Sequence, residues 1–233
     1  MVKQLLFKLA RSRYSTYFIG FAFEYLAPLL PVAKLYQDRY GLIFFHPVPF
    51  WETHLLAVPK KCIPSFSALN LQRLEDQTLI LALFWAIQQV AAQQRFNRYT
   101  VLVNGGAYQD VPQLHFHLAA GLTKSGNEWG RERYALPLPG TAPEQYQTAI
   151  AYPHPAPGRE FHLIITTAEQ INPLTNLNLD QPAHRQALLD ILALAQAMVL
   201  KYGLTRYTLL ANQAIDSPEP QFALHLVSGS LEG

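Results

Sequence analysis

The residues best suited to chemistry lie in one short stretch, Gln113-Leu114-His115-Phe116-His117-Leu118. Polar and apolar side chains alternate there, which is the period of a β-strand with one buried face. On such a strand Gln113, His115 and His117 leave the same face, with the two imidazoles about 7 Å apart. Two imidazoles at this spacing suit half of a metal site or a pair that handles a phosphoryl group. The alternative is two hydrogen-bonded histidines on an exposed strand without chemical function.

The composition is that of a globular protein without an extended nucleic-acid surface. Half of the 233 residues are hydrophobic and 15% are charged, so one or two domains can bury a core. The net charge is only +2, and no dense Lys/Arg tract is present. The single Cys62 excludes an internal disulfide and a cysteine-based zinc site. It favours a reducing compartment, and we expect a cytoplasmic protein.

Strand and helix patterns precede the histidine stretch. A β-hairpin is predicted over residues 34–37 and 41–45, a short strand over 54–58, and another over 98–104. A helix is predicted from a cap at Asn70 to about residue 94. Its centre is apolar all round, which predicts burial between two layers.

The first 33 residues differ from the rest of the chain. Four basic residues precede the first acid, Glu24, and the apolar run Tyr17–Phe23 follows them. The run is too short and too interrupted for a transmembrane helix, and no secretory cleavage site follows it. Three interpretations stay open: a helix packed on the domain, a targeting peptide, or a basic amphipathic segment in which residues 1–30 touch a membrane surface. We expect the packed helix.

The second half of the chain repeats the first at a shift of 108 residues. Without a gap, 22 of the 76 pairs between 46/154 and 121/229 are identical. Such self-similarity predicts an internal duplication. It also predicts a second helix, with Asp180 and Pro182 at its start and Gly203 at its end.

The histidines follow this repeat, with the exceptions of His115 and of His184, which lies opposite Asp76. Six of the eight form pairs across it: His46/His154, His54/His162 and His117/His225. His115 has no counterpart, because position 223 is alanine. We therefore expect one active site per chain, in the first half.

Two segments resemble motifs of the histidine triad (HIT) superfamily. Thr53-His54-Leu55-Leu56-Ala57-Val58-Pro59-Lys60-Lys61 is similar to its segment of a histidine, an apolar strand and Pro-Lys. Asn104-Gly105-Gly106, Gln109, Val111 and the stretch 113–118 resemble its triad strand, in which three histidines alternate with apolar residues. The resemblance covers residues 34–123 and, through the repeat, 133–229 more weakly.

The resemblance implies an α+β fold of two tandem units, each an antiparallel sheet with one long helix. The units would occupy residues 34–128 and 129–233, after an extension over 1–33. Units of this family pair two-fold, so a tandem copy implies an intrachain pseudo-dimer, similar to the galactose-1-phosphate uridylyltransferase branch. We therefore expect a monomer in solution.

The resemblance also implies a reaction on a nucleoside phosphate or dinucleotide. His115 matches the central triad position, the nucleophile that forms a covalent nucleotidyl-histidine. His117 and His54 match the histidines that assist it, and Asn104 and Gln109 match amides that touch phosphate or the leaving group. No metal or cofactor is implied.

The sequence departs from the family pattern at several positions. Gln113 stands in place of the first triad histidine and His46 in place of an acid that binds ribose hydroxyls; both are candidate substrate-binding residues. Asp110 replaces a small hydroxyl residue, and Gln221 with Ala223 leaves the second half without a nucleophile.

Three functions are therefore compared. The first is a nucleotide hydrolase or nucleotidyltransferase working through His115. The second is a non-catalytic nucleotide-binding or regulatory protein. The third is a metal site formed by His54, His115 and His117.

Overall fold

The computed structural model describes residues 33–126, 132, 134–169, 177–214 and 222–231. The expected N-terminal extension lies outside these residues, except for its last position. The described residues form an α+β fold with antiparallel strands. The strands are β1 (Lys34–Gln37), β2 (Gly41–Phe45), β3 (Trp51–Pro59), β4 (Arg98–Gly106), β5 (Phe116–Thr123), β6 (Glu144–Tyr146), β7 (Ala149–Pro153), β8 (Arg159–Thr167), β9 (Arg206–Ala214) and β10 (Leu224–Leu231). The α-helices are α1 (Leu74–Gln93) and α2 (Pro182–Lys201), and a short 3-10 helix spans Phe66–Ala68.

The described residues group into two compact units. The first contains residues 33–96 and 109–126, and the second contains residues 97–108 and the described residues from 132 on. Residues 97–108 differ from the expectation, because the sequence predicts them in the first unit. The physical reason is that β4 pairs with β9 along its whole length, from Arg98 opposite Ala214 to Gly106 opposite Arg206.

The sheet of the first unit has the strand order β1-β2-β3-β5. The β1–β2 hairpin is confirmed, and the strand expected at 54–58 extends over Trp51–Pro59. Helix α1 packs against β1, β2 and β3. Gly41 lets α1 come close, because a Cβ atom there would lie 2.5 Å from Leu83 Cδ2. Helix α1 therefore covers β1, β2 and β3, and β3 pairs with β5 on its other side.

Helix α1 starts later than the sequence predicts. Asn70 precedes it and accepts a hydrogen bond from the Gln72 N–H, while its own N–H donates to Asp76 in the first turn. Lys61 pairs with the same Asp76 carboxylate at 2.7 Å, which ties the end of β3 to the helix start. The helix is not buried all round, as Trp85 is 42% exposed. None of the helices that the structure describes is long and apolar enough to span a membrane.

The sheet of the second unit has the strand order β4-β9-β10-β8-β7-β6. Helix α2 packs against β6, β7 and β8. Its predicted boundaries are confirmed: Pro182 is its first residue, where a missing N–H costs nothing, and Gly203 follows its C-cap with a φ of +58°.

Element bounds recur at the spacing of the sequence repeat. Adding 108 to both ends of β2, β3, α1, β4 and β5 gives the ends of β7, β8, α2, β9 and β10. In the β4–β9 pair, Leu102 lies opposite Leu210, its own equivalent in the repeat. The hydrogen bonds follow this symmetry, since Thr208 donates to Asn104 (2.7 Å) and Thr100 donates to Asn212 (2.6 Å).

Candidate active site

The histidines of the first unit come together from neighbouring segments. His54 lies on β3 and His117 on β5, while His46 follows β2 and His115 directly precedes β5. His117 is opposite Leu56 across the β3–β5 pair, so His54 and His117 are diagonal neighbours on one face. Their imidazoles meet, with His54 Nε2 2.8 Å from His117 Nδ1.

The histidine strand is shorter than the alternation predicts. Strand β5 begins at Phe116, and residues 113–115 approach it outside the ladder. Leu114 donates its N–H to the Ile63 carbonyl instead (2.6 Å). His115 and His117 still lie side by side, with their ring centres 4.9 Å apart.

A chain of hydrogen bonds fixes the tautomers of two histidines. The Phe50 main-chain N–H donates to His54 Nδ1 (3.2 Å), so neutral His54 carries its proton on Nε2. That proton is donated to His117 Nδ1, and neutral His117 therefore carries its own proton on Nε2. His117 Nε2 is buried and has no hydrogen-bond partner in the described part of the chain. The site thus contains an N–H donor for which the described residues supply no acceptor.

His115 has the opposite tautomer. Its Nδ1 lies 2.7 Å from the main-chain oxygen of Gln113. Because a carbonyl can only accept, Nδ1 carries the proton and Nε2 holds the lone pair. Burial lowers the pKa of His115, although the Gln113 carbonyl and Asp110 act in the opposite direction. His115 is therefore a neutral imidazole with an available lone pair, the form that a nucleophile needs.

His46 stacks on His54. The two rings are 4.1 Å apart and inclined by 8°. The main-chain N–H of Val48 donates to His46 Nδ1 (3.0 Å), and the main-chain N–H of His46 donates to the His54 carbonyl (2.8 Å). Burial, followed by the charges of neighbouring histidines, lowers the pKa of His46 to about 4 and that of His54 to about 3. Burial also lowers the pKa of His117, so the whole cluster is neutral at physiological pH.

Two of the predicted substrate-binding amides are engaged with main-chain groups. Gln113 is 1% exposed and donates to the carbonyls of Pro59 and Lys61 (3.2 and 3.0 Å). Its amide nitrogen is therefore engaged at the end of β3, and its role as a substrate contact stays a prediction. Gln109 donates to the carbonyls of Pro64 and Val111 at 2.7 Å. Both amides hold the approach to β5 in place.

Asn104, the remaining predicted amide, belongs to the second unit. Its Oδ1 accepts the hydroxyl hydrogen bond of Thr208, which fixes the orientation of the amide. Its Nδ2 donates to none of the described residues. The amide nitrogen is thus held in a fixed orientation without a hydrogen bond to any described residue.

Sequence reasoning missed the main-chain donor of Phe50 and the ring of Trp51. Trp51 meets His54 edge to face, with ring centres 4.6 Å apart. A register shift in the β3–β5 pair between Trp51 and Thr53 brings both side chains to one side. An aromatic residue out of phase with the strand alternation was a signal for Trp51. A main-chain N–H leaves no signal in a sequence.

A metal ion fits this site poorly. His46, His54 and His117 offer nitrogen atoms that lie within 4.8 Å of one another, a set that differs from the one expected by sequence. However, Nδ1 of each ring already accepts a hydrogen bond, and each Nε2 carries the proton in the neutral form. A metal ion would have to displace one of these bonds.

The second unit contains an equivalent cluster without a counterpart of His115. His162 Nε2 lies 2.9 Å from His225 Nδ1, and His154 stacks on His162 at 4.3 Å. Position 223 is a buried alanine, and Gln221 lies outside the described residues. His162 Nδ1 is buried without a hydrogen-bond partner among the described residues, whereas His54 Nδ1 has the Phe50 N–H.

These features define an α+β protein in which a neutral imidazole with an available lone pair, His115, lies beside a histidine N–H donor, His117. Comparison with known sequences then identifies the family. The HIT domain matches residues 29–123. An uncharacterised HIT-like protein of Synechocystis is 33% identical over 95 residues, 40% of this chain and 81% of the relative. A second one, of Helicobacter pylori, is 24% identical over 92 residues, 40% of this chain and 86% of the relative. The chain belongs to the HIT family.

Solved structures match the fold over most of the chain. An ADP-glucose phosphorylase from Arabidopsis thaliana with bound ADP-glucose has a TM-score of 0.60 at 12% identity, covering 91% of this chain and 80% of that protein. A uridylyltransferase mutant has a TM-score of 0.53 at 12% identity, covering 84% of this chain and 80% of that protein. At these identities the likeness concerns the fold alone. It extends well beyond the segment that the HIT domain matches.

Proposed function

We propose that this protein is a nucleotide hydrolase or nucleotidyltransferase that forms a covalent nucleotidyl-histidine at His115. The observation that carries the proposal is the 2.7 Å contact between His115 Nδ1 and the Gln113 carbonyl. It leaves the Nε2 lone pair free on a ring that burial keeps neutral. The named fold neighbours, a phosphorylase of ADP-glucose and a uridylyltransferase, act on nucleotides and support the same class.

The proposed first step is an exchange at the α-phosphorus. The His115 Nε2 lone pair forms an N–P bond while the bond from phosphorus to the leaving group breaks, and the leaving group departs with its electron pair. The ring then carries a positive charge, which the Nδ1–H···O=C bond to Gln113 stabilises. His117 Nε2–H donates to a phosphoryl oxygen or to the leaving atom. In the second step, water or a second phosphate forms a new P–O bond while the N–P bond breaks and its electron pair returns to Nε2. When water attacks, its proton passes to solvent.

His54 has an indirect role in this scheme. It receives the Phe50 N–H at Nδ1 and donates to His117, and this arrangement keeps the proton of His117 on the atom that faces substrate. We assign His54 as a positioning residue. His46 supports the His54 ring by stacking. His46 and Asn104 stay predicted substrate contacts.

The test is direct detection of the intermediate. The protein is mixed with a panel of nucleoside phosphoramidates and dinucleoside polyphosphates, quenched in alkaline denaturant and digested. Mass spectrometry should find one nucleotidyl group on the peptide that contains His115. The adduct should be absent from His115→Ala and present in the matched variant His225→Ala. Adduct formation in His115→Ala would contradict the proposal.

A second function has one observation in its favour. The Asp110 carboxylate lies close enough to raise the pKa of both His46 and His115 against the effect of burial. A negative charge there opposes the charge that develops on the phosphoryl oxygens and the leaving group during transfer, which hinders catalysis more than binding. If the panel binds without any adduct or turnover, a non-catalytic nucleotide-binding role replaces the first proposal.

We further propose that the chain arose by internal duplication and works as a monomeric pseudo-dimer with one active site. The shared 108-residue spacing and the Leu102–Leu210 pairing support this origin. A cytoplasmic location, suggested by the single Cys62, and contact of residues 1–30 with a membrane surface remain predictions.

A further inference from the structure

The second unit retains three histidines of the site, and one of them is more deeply buried than its equivalent in the first unit. His225 is fully buried, whereas His117 is partly exposed. His225 Nε2, the equivalent of the His117 donor atom, has no hydrogen-bond partner in the described part of the chain. Three described residues of the same unit, Glu132, Tyr134 and Ala135, contact the neighbours of these histidines.

Glu132 accepts a hydrogen bond from the Asn212 amide, whose equivalent in the first half is the Asn104 amide. Its main-chain oxygen accepts from Asn212 Nδ2 at 2.7 Å. Asn212 is equivalent to Asn104, and its orientation is fixed in the same way, by Thr100. The Glu132 carbonyl therefore accepts from the amide of Asn212, whereas the equivalent amide of Asn104 is a candidate donor to a ligand.

The Glu132 carboxylate meets a positive charge that is specific to the second half. Its Oε1 lies 3.3 Å from the Arg159 guanidinium, and the two side chains are only 10% and 12% exposed. Arg159 occupies the position of Trp51 and lies close enough to His162 to contribute, after burial and His154, to its lowered pKa. Glu132 Oε2 is buried and makes no hydrogen bond among the described residues.

Tyr134 and Ala135 fill the space beside the missing nucleophile. Both pack against the buried cluster of Tyr152, Ile164 and Ala223. The Tyr152 hydroxyl donates to the Ala135 carbonyl at 3.1 Å, which anchors the segment.

We propose that the second unit contains a latent site for a phosphate-type anion, and that Glu132 fills it from within the chain. The donors of this site are the Asn212 amide and the Arg159 guanidinium, and Arg159 acts on His162, which is hydrogen-bonded to His225. An oxyanion can accept from the same two donors that the Glu132 carbonyl and carboxylate now engage. The second unit is thus held closed by an internal carboxylate and does not compete with the first for substrate.

The test is anion rescue of Glu132→Ala in the full-length chain. Removal of the carboxylate leaves Arg159 buried without its acid, so the melting temperature should fall by roughly 5–10 °C. Inorganic phosphate, compared with chloride at equal ionic strength, should restore most of this loss with a saturable dependence. Wild type and the matched variant Glu144→Ala, which breaks an exposed pair with Lys201, should show no such additional stabilisation.

Two further measurements keep the result decisive. Imidazole resonances of His162 and His225 should shift with phosphate in Glu132→Ala and stay unchanged in wild type. Adding Arg159→Met should remove the rescue. If Glu132→Ala does not fold, Glu132→Gln removes the charge while retaining hydrogen-bonding groups, and a smaller rescue is expected. The proposal is overturned if the folded variant gains no more from phosphate than wild type, or if the two resonances do not move.

Discussion

Acidification should unfold this protein at an unusually mild pH, because buried histidines must remain neutral in the native state. Burial, with neighbouring charges, lowers the pKa of His54 and His162 to about 3, and burial lowers those of His117 and His225 as well. In the unfolded chain the same groups titrate near pH 6.5. Below about pH 6.5 the unfolded state binds more protons than the native state, so the free energy of unfolding falls as pH falls. The loss continues down to the native pKa, about 3 for His54 and His162.

The magnitude follows from this difference in proton binding. At pH 5 each histidine contributes a loss of about 2 kcal/mol if fully shielded and about 1 kcal/mol if partly screened by solvent. Four of them sum to about 4–8 kcal/mol, against a typical total stability of 5–15 kcal/mol. The native state should therefore be marginal near pH 5. The Lys61–Asp76 pair does not offset this effect, because an acid with a lowered pKa is still ionised there.

The assay is urea unfolding between pH 8 and pH 4.5. The free energy of unfolding should be nearly flat above pH 7 and then fall with a slope of about two to four protons per molecule. Replacing His162 and His225 together by leucine should lower that slope by about one to two protons. His184→Gln, outside both clusters, is the control. Full stability retained at pH 4.5, or a slope below one proton, would refute the reasoning.

Three further predictions concern activity, packing and assembly. His115→Ala should reduce turnover by roughly a thousandfold or more, whereas His225→Ala should leave the chemical step within about threefold in single-turnover kinetics; equal losses in folded variants would argue against a single site. Gly105→Ala should lower the free energy of unfolding by about 2–4 kcal/mol in urea titrations, because its Cβ would lie 2.0 Å from the Tyr207 ring, while Gly158→Ala, with open space around it, should have little effect. The chain should elute as a monomer in light-scattering chromatography at micromolar concentrations, and a concentration-dependent dimer would contradict the proposed pseudo-dimer.

The sequence predicted the elements well where one local signal dominates. The β1–β2 hairpin, the Pro182 start of α2 and the Gly203 after its end were all correct, since each depends on residues adjacent in the chain. The sequence predicted which histidines form the site, but not the hydrogen bonds that connect them and fix their tautomers. The donor of His54 is a main-chain group, and the acceptor of His115 Nδ1 is another, so no side-chain pattern reveals either tautomer.

Tertiary pairing overrode local pattern in two places. The alternation over residues 113–118 suggested a continuous strand, but Leu114 bonds to Ile63 and the ladder starts only at Phe116. The predicted boundary between the units did not take into account that β4 pairs with β9 along its whole length. A partner more than one hundred residues away lies outside the reach of any window along the sequence.

The placement of β4 has a consequence for cleavage of the backbone. A protease that cuts between Gly126 and Glu132 separates the repeats in covalent terms, yet β4 stays with the amino-terminal fragment while its pairing partner, β9, stays with the other. Nine register pairs, Arg98↔Ala214 to Gly106↔Arg206, join the two strands. The nicked chain should therefore travel as one particle in native gels and come apart only in denaturant. A carboxy-terminal fragment made alone would have an open edge along β9, a template for aggregation that the intact chain covers with its own strand.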